Sequence, residues 1–407
     1  MRLTFNTVLP LWIGLCAAKV YFEETFDDDK ALQLRWKSPK APLKNKAGEE
    51  IPLGKWEISA GTLKTTEDNH YYELTSKLPV AFSNEGKDLV VQMTVRHAQQ
   101  IDCGGGYIKL LPKDVDQDTF NGDASYYVMF GPDICGTNRK VHVIWNYKGT
   151  NFMLKKDIPV PYDTITHCYT LVVKPDQTYE VLIDMRKVAF GGLTEDWDIL
   201  PPNKIKDPKA QKPADYVDEK EIDDVEDKKP EDWDVSEFLP ESDDVKPDNW
   251  DDEMDGEWKP TPKKNPAYKG EWKPRRVKNP NYQGPWVAPM IDNPDYFTDD
   301  TIYVLKNIGA VGFDLWQVKS GTMFDNILIT DDLEHAKKIA AETWEPLYNK
   351  EKEEMEEQAR IRREEFEKEQ QLRKEESAKS AKDTAGNVAE DAAEDADSED
   401  TESKEEL

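Results

Sequence analysis

The sequence predicts a mainly β protein: a β-sandwich with an inserted proline-rich hairpin arm, then a C-terminal α-helix and an acidic tail. Three observations carry this reading. Apolar and polar residues alternate across 19–200, and the alternation resumes after about residue 298. Between these stretches, proline, aspartate, lysine and tryptophan dominate and fall into two sets of repeats. From residue 333 the pattern becomes helical.

Val91, Met93 and Val95 alternate with Gln92, Thr94 and Arg96, and Val141, Val143, Trp145 and Tyr147 repeat the pattern. Residues 168–174 and 178–184 read as two strands joined by Pro175-Asp176-Gln177. Strand patterns return at Thr301 to Leu305, Val311 to Trp316 and Phe324 to Ile329. A β pattern that stops and resumes implies one sandwich built from 19–202 and 298–332.

The arm spans 203–297. Its first repeat set has a 17-residue period, anchored at Lys212-Pro213-Ala214-Asp215-Tyr216, Lys229-Pro230-Glu231-Asp232-Trp233 and Lys246-Pro247-Asp248-Asn249-Trp250. The second has a 14-residue period, beginning at Gly256, Gly270 and Gly284 and ending in Asn-Pro-x-Tyr from Asn265, Asn279 and Asn293. So few aromatics per unit cannot form a globular core. Two rows pairing as an extended hairpin can hold together, with opposed aromatics stacking and prolines stiffening the chain. The turn is expected near Met254-Asp255-Gly256.

Residues 333–380 form the expected helix, with Glu356/Arg360, Glu364/Lys368 and Glu369/Arg373 as i,i+4 pairs, acid first. Residues 381–407 are acidic, rich in Ala and Ser, and expected to be disordered.

The 407 residues carry 54 Lys+Arg against 83 Asp+Glu, a formal charge of −29. That balance argues against nucleic-acid binding, which needs a basic face. It suits a hard divalent cation such as Ca2+. Residues 1–18 read as a signal peptide: Arg2, an apolar run from Val8, then Cys16-Ala17-Ala18 at a cleavage site. No later run is long enough to span a membrane. Lys404-Glu405-Glu406-Leu407 is close to a Lys-Asp-Glu-Leu retrieval tail. Together the two ends imply the endoplasmic reticulum lumen, with a secreted or cell-surface fraction where retrieval fails. Three cysteines outlast the leader. Cys103 and Cys135 share Gly-rich settings and are expected to pair, leaving Cys168 as a buried thiol.

The repeats, with RHAQQIDCGGGYIKLL at 96–111, VMFGPDICG at 128–136 and GAVGFDLWQVKSGTMFDN at 309–326, resemble the calreticulin/calnexin family. The resemblance covers roughly 19–345. Three repeats of each type and no span after residue 300 match the family's soluble branch. The resemblance implies a legume-lectin-like jelly-roll sandwich, a monomer that binds monoglucosylated high-mannose glycans on new glycoproteins. It places sugar contacts at Tyr107, Lys109, Tyr126, Asp133 and Asp314. It places Ca2+ at Asp325 with backbone carbonyls of Thr25, Ser59 and Gly61, although 55–66 departs from the family pattern. It assigns Glu253, Asp255, Glu257 and Trp258 at the arm tip to a thiol-disulfide oxidoreductase partner. Lumenal Ca2+ storage with glycan-independent chaperoning is the alternative, weakened by a short tail: 390–407 hold ten acidic residues and one lysine.

An enzyme is not expected. Glu221-Ile222-Asp223-Asp224-Val225-Glu226 imitates a glycosidase signature but lies in the arm and carries Asp224 where an apolar residue belongs. Asp114-Val115-Asp116-Gln117-Asp118 imitates an EF-hand but continues with Thr119 and reaches Ser125, not Gly and Glu. The five histidines show no metal spacing, and there is no Cys-x-x-Cys or Gly-x-Ser-x-Gly.

Overall fold

Two antiparallel sheets face each other across the core. In spatial order, the first contains Arg186–Gly192, Thr178–Ile183, His167–Val173, Leu89–His97, Thr322–Thr330, Thr62–Thr65 and Trp56–Ser59. Val20–Glu24 also pairs with Thr322–Thr330. The second contains Thr150–Met153, Asn138–Tyr147, Val128–Cys135, Ile108–Pro112, Ile308–Gln317, His70–Phe82 and Trp36–Lys37. The short strand Cys103–Gly105 bridges Val128–Cys135 and Ile308–Gln317. This computed structural model describes residues 18–44, 46–233, 235–240, 245–247, 250, 253–254, 256–259 and 262–397, with side chains of the last helix described to 377. The expected leader up to residue 17, Asp255 and the terminal Lys404-Glu405-Glu406-Leu407 lie outside the described residues.

Strand alternation builds the core. On His70–Phe82, Tyr72 and Leu74 point into it, as do Phe313 and Leu315 on Ile308–Gln317. The first sheet is buried on both faces. Val90, Val172, Leu182 and Leu328 meet Ala336 on its far side, and Cys168 meets Ala340 and Trp344. Ala336, Ala340 and Trp344 are spaced four apart, so one stripe of the helix Leu333–Asp397 covers the sheet. Gln92 and Thr94, polar in the sequence pattern, are therefore buried. Gln92 donates to the Ala336 carbonyl at 3.2 Å and accepts from Thr170 at 3.1 Å. Trp344 Nε1 donates to the Thr166 carbonyl, and the Glu351 carboxylate accepts from Thr166 N–H while pairing with Arg96 at 2.8 Å.

Two expectations fail here. Thr301 to Leu305 is not a strand. Ile302, Tyr303 and Leu305 are buried, but their backbone is satisfied by side chains: Asn84 Nδ2 donates to the Tyr303 carbonyl, and Leu305 N–H donates to Asn84 Oδ1. Trp145 Nε1 takes the Ile302 carbonyl. The helix also runs on through 381–397, where disorder was expected. Frequent alanine, the strongest helix former, supports that extension.

Residues 201–297 form a separate compact unit. Three short antiparallel pairs run along it: Lys204–Lys206 with Met290–Asp292, Glu221–Asp223 with Arg276–Lys278, and Phe238–Pro240 with Pro262–Lys264. The outgoing strands start 17 residues apart (204, 221, 238) and the returning ones 14 apart (262, 276, 290), so each repeat contributes one strand. Each Asn-Pro-x-Tyr asparagine makes the same bonds. Asn265, Asn279 and Asn293 donate from Nδ2 to the carbonyls of Ser236, Glu219 and Pro202, again 17 apart. Each Oδ1 accepts the N–H two residues on, closing an Asx turn. The aromatics were expected to stack across the rows. Among the described residues they bond instead: Trp233 Nε1 to the Gly270 carbonyl, Trp250 Nε1 to Gly256 and Tyr216 hydroxyl to Gln283. The glycosidase-like Glu221–Asp223 is an arm strand, with Asp223 and Asp224 held by Arg276 and Arg275.

Candidate functional site

The outer face of the second sheet carries the expected polar set. Core residues Ile108, Leu110, Phe313, Leu315 and Ile134 force Lys109, Asp314 and Asp133 to the opposite side. Lys109 pairs in register with Gly312 and Met129, and Asp133 with Gly105 and Lys140. Lys109 Nζ donates to Asp314 Oδ2 at 2.6 Å and lies 4.9 Å from the centre of the Tyr126 ring. Lys109 is only 3 % exposed, because the 113–126 loop packs Phe120, Val115 and Ala124 against Leu111 and Ala310 beside it. Burial, then Asp314, Asp133 and Tyr126, push the Tyr107 phenol far above its ordinary range, which places these groups around one centre. All five expected residues meet on this face.

Glycine sets the local path. Gly131 sits at φ +137°, and a Cβ there would lie 2.6 Å from the Gly106 carbonyl and 2.7 Å from Tyr107 Cα. Gly105 leaves room for the Tyr107 ring, which a Cβ would meet at 2.5 Å. The Cys103–Cys135 disulfide joins the two strands directly opposite each other. Cys168 is free and buried.

Four neighbours were not assigned to the site by the sequence reading. Glu73 faces Asp314 in register. Burial, then Asp314, raise its carboxyl to about 7 against the pull of Lys109. His142, one of the histidines with no metal spacing, lies parallel to the Tyr107 ring and 3.5 Å from Asp133. Among the described residues, neither of its ring nitrogens has a hydrogen-bond partner. Burial lowers the His142 pKa and raises that of Asp133. Tyr71 and Trp316 pair across the strands with rings 4.6 Å apart, extending an aromatic surface past Asp314. No strand was read over 70–82, and a strand pattern alone does not say which outward positions share a site.

The expected Ca2+ residues gather at the first sheet. Asp325 sits where the register of Thr322–Thr330 breaks, with Asn326 at φ +49°. Asp325 and Ser59 line one cavity of about 300 Å3. Thr25 donates to Asp27 Oδ2 at 2.8 Å, and a Cβ on Gly61 would stand 3.4 Å from Asp27 Oδ1. Burial, and then Asp27 and Glu24, raise Asp325 to about 7. Glu24 differs. Burial alone would raise it too, but Arg35, Trp36 Nε1 and Phe26 N–H bond its carboxylate and hold it low. Asp325 accepts from Asn326 N–H and Nδ2 but has no ion-pair partner among the described residues. Among them no group of three or more His, Cys, Asp or Glu could hold a metal alone. A cation held there would need to take its remaining ligands from backbone carbonyls, which Ca2+ accepts.

At the arm tip, Glu253 and Glu257 are exposed and Trp258 is half-buried. Met254 is 85 % exposed, and the Trp250–Gly256 bond closes the turn. Among the described residues no helix is long and apolar enough to cross a membrane.

The calreticulin family model matches residues 22–255 and 253–329. The chain is 54% identical to a calreticulin of Onchocerca volvulus over 351 residues, covering 82% of this chain and 88% of that one. It is 56% identical to a calreticulin of Chlamydomonas reinhardtii over 347 residues, 83% of this chain and 82% of that one. A calreticulin of Drosophila melanogaster is 57% identical over 346 residues, 82% of this chain and 83% of its own. The solved T. cruzi calreticulin globular domain superposes with a TM-score of 0.55 at 29% identity, covering 84% of this chain and all of that one. On the family match and these identities, the chain belongs to the calreticulin family.

Proposed function

We propose that this protein is a Ca2+-dependent lectin chaperone of the endoplasmic reticulum lumen, not an enzyme, which binds monoglucosylated high-mannose glycans on newly made glycoproteins. The observation that carries the reading is the convergence of Lys109, Asp314, Asp133, Tyr107 and Tyr126 on one sheet face. Sugar hydroxyls need fixed donors and acceptors, which the Lys109–Asp314 pair and Asp133 supply. The C–H faces of a sugar need amphipathic rings, which Tyr107, Tyr126 and the Tyr71–Trp316 pair offer. Because a sheet and a disulfide hold these groups, little ordering cost accompanies binding.

Asp325, with carbonyls of Thr25, Ser59 and Gly61, would hold the Ca2+, and Asp27 adds negative charge beside it. When bound, the ion supplies the missing counter-charge. Asp325 then fixes the break in the strand that lies at the centre of the first sheet. The exposed acidic groups and Trp258 of the arm tip suit a basic thiol-disulfide oxidoreductase as partner.

Calorimetric titration of the full chain with glucosyl-α-1,3-mannose, with Ca2+ present, tests this. Saturable binding that Asp314→Ala and Tyr107→Phe each weaken at least about tenfold is expected. Absence of binding would remove the lectin role and favour Ca2+ storage.

A further inference from the structure

We propose that Glu73 is a further positioning residue of this sugar site, held as a neutral carboxylic acid beside the Lys109–Asp314 pair, and that losing its proton weakens sugar binding. The inference rests on the lectin reading above and adds a residue that the family resemblance did not supply.

Glu73 is 2 % exposed, and its buried Oε1 has no hydrogen-bond partner among the described residues. It stands directly across from Asp314. Cross-strand partners have Cβ atoms about 5 Å apart, close enough for a carboxylic O–H to be donated to the Asp314 carboxylate. The charged groups that act on it are Asp314 on the facing strand and Lys109 on the next. On its other side, Lys37 and the loop residue Asp118 are engaged with each other. The covering loop otherwise presents Gln117, bonded to Thr75, and Gly122, where a Cβ would lie 3.4 Å from Asp314 Oδ2. Lys109 is thus the cation that acts on Glu73, and it is already paired with Asp314.

Charge then decides the state of the site. With Glu73 neutral, Lys109 and Asp314 cancel. With Glu73 ionised, two carboxylates share one ammonium in a floor shielded from water, and Lys109 is drawn between them. A sugar laid over this floor excludes more water and makes the extra negative charge costlier still. Binding therefore takes up a proton wherever free Glu73 is ionised. Burial already brings that ionisation to about 7, near neutral pH. Affinity should fall as pH rises through that point. His142 and Asp133 titrate in the same site, but burial pushes His142 downward, so its protonation acts on the acid side.

The test is calorimetric titration of the full chain with glucosyl-α-1,3-mannose at saturating Ca2+, at about pH 6 and about pH 8.5, in two buffers of different ionisation enthalpy. Wild type is expected to lose about three- to tenfold in affinity at the higher pH and to take up a proton on binding. Glu73→Gln, which keeps shape and neutrality, should bind equally at both values. A wild type that binds with no pH dependence and no proton uptake overturns the proposal, and so does a Glu73→Gln variant that keeps the full dependence. The buffer comparison on wild type decides the matter even if the variant does not fold. Absence of binding at about pH 6 in wild type would instead sink the lectin reading itself.

Discussion

Two buried carboxyls, on different sheets, are both pushed to about 7 by burial, yet they link to ligands with opposite signs. As proposed, Glu73 would serve its site as the acid, whereas Asp325 would serve Ca2+ as the anion. Below about 7, protons compete with Ca2+ for Asp325, so Ca2+ affinity should drop toward tenfold per pH unit. Without Ca2+, the raised folded-state pKa means that stability is fullest below the ordinary carboxylate range and is lost as pH rises through about 7. The Ca2+-free protein should therefore melt lower at about pH 8 than at about pH 5.5, and Ca2+ should cancel the difference. Calorimetric Ca2+ titration and melting curves, with Asp325→Asn as control, check both signs. A Ca2+ affinity that ignores pH would exclude Asp325 as the ligand. Asp325 was reachable from sequence only through the family resemblance. Glu73 was not reachable at all, because one glutamate in an alternating strand reads as solvent-facing. Its burial depends on the 113–126 loop folding back, a contact that no local pattern encodes.

At the scale of elements, the arm was the most legible part of the chain. Its strand pairs join one outgoing and one returning repeat each, so period and partner are both written in the sequence. What the repeats did not reveal was the nature of the link, an indole N–H or amide bond to a carbonyl rather than stacked rings. Thr301 to Leu305 shows the converse: an apolar run satisfied by Asn84 and Trp145 without a strand partner. Quasi-linear repeats confine damage to their neighbours. Asn279→Ala removes an Asx turn and the bond to the Glu219 carbonyl, a local cost of about 1–2 kcal/mol. Limited proteolysis should then cut faster within 219–283, while the melting of the sandwich stays within about 1 °C of wild type. A fall in sandwich melting temperature would mean that the two units are energetically coupled.

On the scale of the whole molecule, the order of strands makes the arm an insertion rather than a divider. Ile308–Gln317 lies between Ile108–Pro112 and His70–Phe82, and Thr322–Thr330 lies between Leu89–His97 and Thr62–Thr65. Each sheet is thus completed at its centre by chain that follows the arm. Asp314 and Asp325 both lie on these central strands, so the proposed sugar face and the proposed Ca2+ site each need chain that follows the arm. The base of the arm returns to where it left: Lys204 pairs with Asp292, and Asn293 N–H donates to the Asn203 carbonyl at 2.9 Å. Paired strands lie about 5 Å apart, so a linker of about four residues can replace 204–292. That variant should fold, melt within about 2 °C of wild type, and keep its sugar and Ca2+ affinities. A chain ending at residue 297 should not fold, because both sheets would be left open along their middles with unpaired edges. If the linker variant failed to fold while its parent did, the sandwich would need the arm for its own stability, and a self-sufficient core built by the two central strands would have to be abandoned.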